Sequence, residues 1–174
     1  MKNKIKYLLN EFSKKTLVIV FDGGKIDNLF SNFFSVVDEK YHFTIILTRT
    51  PGKECLKLVP SSLQYRCNII DCLYPKPAKA NKNIYYLGSL SRLTELSICI
   101  NECIKNNNYS QILLFESPSI LTEYNPLNVS ISFFESILLR VKSRDISLIS
   151  FGLPLRDPKL DILYDKIIKV ENEI

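Results

Sequence analysis

Short runs of consecutive apolar residues alternate along this chain with longer stretches in which apolar positions recur at helical spacing. Four runs, TLVIVF (Thr16–Phe21), FTIIL (Phe43–Leu47), QILLF (Gln111–Phe115) and ISLISF (Ile146–Phe151), carry almost no polar position to face water. That pattern predicts strands covered on both sides, as in parallel sheets. Weaker strands are expected around Asn68-Ile69-Ile70 and over Ile84–Leu87, and the apolar piece Ile162–Val170 is expected to close the sheet. Between them, Ile26–Val37 places Ile26, Leu29, Phe30, Phe33 and Phe34 on one helical stripe. Leu90–Ile104 does the same with Leu93, Leu96, Ile100 and Ile104, and Val129–Lys142 with Ile131, Phe134, Ile137, Leu138 and Val141. Residues 50–64 read as irregular or a short helix, and residues 1–15 as an amphipathic helix with Ile5, Leu8, Leu9 and Phe12 inward. Strands separated by helices predict an α/β domain with a mainly parallel central sheet flanked by helices.

Composition narrows the class. At 174 residues and 46% hydrophobic, the chain has the size of one domain and enough apolar surface for a core, which excludes disorder. No apolar run approaches the roughly 18 residues of a membrane span. Cys55, Cys67, Cys72, Cys99 and Cys103 are odd in number and lack paired C-x-x-C spacing, which fits free thiols in a reducing, cytoplasmic compartment. The formal charge of +5 permits nucleic acid without requiring it. Lys76, Lys79 and Lys82 stand in the polar loop PKPAKANKN, and Arg140, Lys142 and Arg144 near the end of a helix; with Arg92 they are the candidates for RNA or partner contact.

Only five glycines are present, so a phosphate-cradling loop has little to be built from. Asp22-Gly23-Gly24-Lys25 follows the first strand, where such a loop would sit. A P-loop needs an earlier glycine, here Ile19, and a hydroxyl after the lysine, here Ile26. Gly52-Lys53 fails in the same way, with Leu47 and Glu54 at those positions. Glu116 ends the QILLF strand, where P-loop enzymes place the carboxylate that positions magnesium. A carboxylate that accepts hydrogen bonds at a strand end is the simpler reading of it. A second chemistry would gather Asp22, Asp71 and Glu116 around a divalent metal for phosphate or phosphodiester hydrolysis. Asp27 and Asp38 fall on a predicted helix, and Asp27 suits its first turn. His42, the only histidine, has no nucleophile elbow near it and reads as a strand-edge residue.

The order TLVIVFDGGKIDNLFSNFF, FTIIL, LSRLTELSICINECI and QILLFESPSILTEYNPLNVSISFFESILLRVKSRDISLISFG resembles the RecA/KaiC-like ATPase core from about Thr16 to Val170. LTELSICINECI and LFESPSILTEYN are similar to archaeal KaiC-like proteins with eroded nucleotide motifs, and the stretch Asp22–Phe34 to the RecA-like accessory subunits of Elongator. The resemblance implies a RecA-like three-layer sandwich that no longer turns over nucleotide, with neither catalytic residue, metal nor cofactor. It implies work as a scaffold or regulatory subunit beside other RecA-like subunits or copies of itself, with an Elongator-type role in tRNA wobble-uridine modification as the named expectation. A stand-alone KaiC-like regulator is the alternative within the same family.

Overall fold

In the computed structural model, residues 16–21, 26–37, 40–105, 110–152, 155 and 157–170 are described. Seven strands among them form one sheet: β1 (Thr16–Phe21), β2 (His42–Leu47), β3 (Cys67–Asp71), β4 (Ile84–Tyr86), β5 (Gln111–Glu116), β6 (Ser147–Phe151) and β7 (Lys166–Val170). Their spatial order is β4-β3-β2-β5-β6-β1-β7, and every neighbouring pair is parallel. The four strongest apolar runs are therefore the four central strands β2, β5, β6 and β1, as expected for segments buried on both faces. The sheet is wholly parallel among the described strands, a step beyond the mainly parallel sheet expected.

Helices cover both faces. On one side lie α1 (Ile26–Phe34), α2 (Gly52–Leu58) and α3 (Ser61–Gln64). Phe30, Phe33 and Phe34 of α1 are buried in this layer. Phe30 meets Phe151 edge-on at 5.3 Å between ring centroids, and Phe33 meets Phe43 at 6.0 Å. Each such burial contributes about 1.5–3 kcal/mol, so the stripe that predicts α1 also anchors it over β2 and β6. Residues 50–64 resolve into two short helices started by Pro51 and Pro60, whose fixed φ suits a helix entry.

On the other side lie α4 (Leu93–Lys105), a 3-10 turn (Pro118–Ile120), α5 (Leu121–Tyr124), α6 (Leu127–Ser143) and α7 (Pro158–Asp161). Leu96, Ile100 and Ile104 of α4 and Phe134, Ile137, Leu138 and Val141 of α6 face the sheet, as their spacing predicts. The result is helices, sheet, helices in three layers. One connection is unusual for a parallel pair: β3 returns to β4 through residues 72–83 without a helix.

The predicted helix over 1–15, the turn Asp22-Gly23-Gly24-Lys25 and Asp38 lie outside the described residues. No helix among those described is long and apolar enough to cross a membrane.

Candidate functional site

Because all strands are parallel, their carboxyl ends share one edge, and that edge is where open α/β sheets place their chemistry. Glu116 ends β5 there, fully buried. Its Oε2 accepts three consecutive backbone N–H groups, from Thr48 at 2.6 Å, Arg49 at 2.8 Å and Thr50 at 3.1 Å. Its Oε1 accepts the Thr50 hydroxyl at 2.5 Å, and its main-chain oxygen accepts the Thr48 hydroxyl at 2.5 Å. Successive amides converging on one oxygen form an anion nest, and here the anion is the protein's own side chain. Since a carboxylate offers about four lone-pair sites, little of Glu116 remains for a metal.

Asp71 at the end of β3 is employed in the same way. Its Oδ2 accepts the N–H of Gly52 at 2.7 Å, where α2 begins, and its Oδ1 accepts those of Leu73 at 3.2 Å and Tyr74 at 3.0 Å. β3 and β5 flank β2. The turn 48–52 that leaves β2 is thus clamped from both neighbouring strands by a buried carboxylate. Gly52 is required for the close fit, because a Cβ there would stand 2.9 Å from Ile84 Cγ2 and 3.1 Å from Asp71 Oδ2.

Glu116 points to one side of β5. Its partners all belong to the β2 turn, on one side of β5, whereas β1 lies on the other side beyond β6. Ladder spacing sets the β1 and β5 backbones about 10 Å apart. Between them, the chain after β5 bends sharply: Ser117 has φ 46°, in the left-handed region, and its N–H bonds to Phe151 O at 2.7 Å. Gly152, with φ 82°, packs against it, and a Cβ there would meet Ser117 Oγ at 2.5 Å.

Other reactive groups are subdued. Burial pushes the Cys103 thiol up to about 12, and it raises Cys67 and Cys72 as well; Asp71 and Glu116 raise Cys72 further. These thiols are protonated and act as small core hydrophobes. His42 opens β2, and burial followed by the nearby Arg66 lowers its pKa, which keeps it neutral at pH 7. Among the described residues, no group of three His, Cys, Asp or Glu side chains is placed to hold a metal. Asp71 and Glu116 each face their own amides.

The basic candidates occupy different edges. Arg92 lies near the carboxyl edge before α4, where it donates to Leu87 O at 2.6 Å and pairs with Glu95. Lys76, Lys79 and Lys82 are exposed along the β3–β4 connection, and Lys82 has reached the opposite edge, just before β4. Arg140, Lys142 and Arg144 end α6 near the start of β6. Arg140 donates to Ser97 Oγ at 3.2 and 3.3 Å, and Lys142 approaches Asp165 at 3.5 Å. Four strand steps, about 19 Å, separate β4 from β6, so the Lys82 and Arg144 ends of the two clusters are well apart.

Sequence reasoning singled out Glu116 and Asp71 but missed Thr48, Thr50 and Gly52, which hold them. The available signal was Thr48-Arg49-Thr50-Pro51-Gly52 directly after an apolar strand, two hydroxyls and two turn residues at a carboxyl edge.

No protein-family description matches the chain, and no curated protein matches it. Among solved structures, it is similar to a prototypical ATPase from the type III secretion system of pathogenic bacteria, with TM-score 0.58 and 13% identity. The match covers 97% of this chain and 55% of that one, so the chain spans about half the length of the protein it matches. At that identity the likeness speaks for the fold alone, and the chain has a RecA-like three-layer fold.

Proposed function

We propose that this chain is a non-catalytic RecA-fold subunit that works through its surfaces, as scaffold or regulatory partner in a larger assembly. The observation that carries this reading is the orientation of Glu116. The residue at the magnesium-positioning place is buried and turned toward the β2 turn, away from β1, with its lone pairs taken by Thr48, Arg49 and Thr50. Magnesium sites in phosphoryl-transfer enzymes need carboxylate oxygen free to meet the ion or its waters. The sequence adds Ile19 and Ile26 where a P-loop has glycine and a hydroxyl. Within this class, an Elongator-type accessory role in tRNA modification is the specific form proposed, with other RecA-like subunits or further copies of this chain as neighbours and RNA as the ligand of the lysine loop.

The test is direct. Purified full-length chain, incubated with magnesium and labelled ATP, is expected to release no phosphate above the blank and to give no binding heat with MgATP. Turnover abolished by Glu116→Gln in a variant that melts like the parent would overturn the reading. Magnesium- or manganese-dependent phosphodiester cleavage lost in Asp22→Asn would replace it with the hydrolase. Affinity purification from the native cell separates the assembly forms: RecA-like subunits and tRNA fit the Elongator-type role, and the chain alone fits a stand-alone regulator.

A further inference from the structure

α4 and α6 lie side by side on the sheet, and their outward faces are not the polar surfaces expected of solvated helices. Ile98 on α4 is 51% exposed, and Val129 on α6 is 42% exposed. Together with Leu93 and Phe133 they line an open groove of about 540 Å³ between the helices, whose other lining residues are Thr94, Ser97, Asn128 and Ser132. No lining residue is charged. Arg140 stands on its margin, its guanidinium fixed by two hydrogen bonds to the lining residue Ser97 at Oγ. Arg140 has no carboxylate partner among the described residues, and it is followed at the same helix end by exposed Arg144. Partial burial and the neighbouring Arg144 both lower its pKa.

We propose that this groove docks an acidic amphipathic helix of a partner protein, its apolar stripe between Ile98, Val129 and Phe133 and a carboxylate on Arg140. The shape is that of helix-in-groove recognition, in which anchors at i, i+3 or i+4 and i+7 enter a cleft between two helices. The sign of the charge selects among occupants. A second copy of this chain, at +5, would bring like charge to Arg140 and Arg144 if it docked face to face, and the chain's own opening MKNKIKYLLNEFSKK carries five lysines against one glutamate. A forked guanidinium matches a carboxylate in two parallel bonds, which gives position as well as attraction. The inference deepens the reading of a surface-acting subunit and rests on it.

The experiment is a display selection on the full chain from a library of amphipathic helices of roughly 15 residues, with Glu, Gln and Lys randomised beside a fixed apolar stripe. Selected peptides are expected to be enriched in Glu at one flank. Replacing those residues with Gln, or changing Arg140→Gln in the protein, is expected to weaken binding roughly tenfold, as for loss of one charge-assisted pair. Ile98→Asp and Val129→Asp, both at exposed positions, are expected to abolish it while leaving the melting temperature unchanged. Selection of basic or neutral helices, no selected binder, or binding indifferent to Val129→Asp would overturn the proposal. Self-association lost in Val129→Asp would overturn it in favour of a second copy. ATP turnover in the same preparation would overturn the non-catalytic reading and leave the groove result standing; absence of both turnover and peptide binding would remove the groove alone.

Discussion

The turn at 48–52 and the outer face of α4 and α6 use polar groups in opposite ways. In the turn, two buried carboxylates and the amides and hydroxyls around them satisfy one another, so the chemistry is closed on itself. On the helix face, a guanidinium bonded to Ser97 stands near exposed aliphatic side chains. Charge at a strand end is architecture in the first region, while the Arg140 charge in the second meets no carboxylate among the described residues. A carboxylate at the expected catalytic place is therefore informative only with its partners in view.

The contrast is most strained by removing Glu116. Glu116→Ala leaves three amides and the Thr50 hydroxyl without their acceptor and is expected to cost about 3–5 kcal/mol, read as a lowered midpoint in urea unfolding. Asp71→Ala frees the N–H groups of Gly52, Leu73 and Tyr74 and is expected to cost roughly 2–3 kcal/mol in the same measurement. Unchanged stability in both variants would mean that the carboxylates are held for another purpose. Gly152→Ala forces a Cβ into a left-handed backbone and against Ser117, at about 1–2 kcal/mol. The smallest effect is expected on the other side of the comparison. Val129→Asp should change stability by no more than about 0.5 kcal/mol; a larger loss in thermal melting would show the groove to be part of the core.

Most of the fold is legible in the sequence because the central strands are apolar throughout and the long helices carry a clear stripe. TLVIVF and QILLF announce buried parallel strands, and Phe30, Phe33 and Phe34 announce the face that α1 buries. The short helices α2 and α3 are less legible, since seven and four residues hold too few turns for periodicity to show. For Glu116, the bland reading of a carboxylate accepting hydrogen bonds at a strand end describes what the structure shows. Its donors could not be read, because they stand 66 to 68 residues earlier and meet it only through the pairing of β2 with β5. The groove is equally hidden: Leu93 belongs to the inward stripe of α4 while Phe133 falls beside that of α6, and only the packing of the two helices leaves their flanks and Ile98 uncovered.

The strand order carries a consequence for how the chain is made. β1 is made well before both of its partners, β6 and β7, with Thr16 beside Leu148 and Leu17 beside Lys166. The neighbours β2, β3 and β4 follow closely in sequence and close only short loops to pair. During synthesis, therefore, β2, β3 and β4 have one another in hand while the first strand waits, its apolar residues unpaired, for β6 and β7. Long-range parallel pairing is slow and exposes apolar strands meanwhile, so TLVIVF is the segment through which a stalled or truncated chain would aggregate.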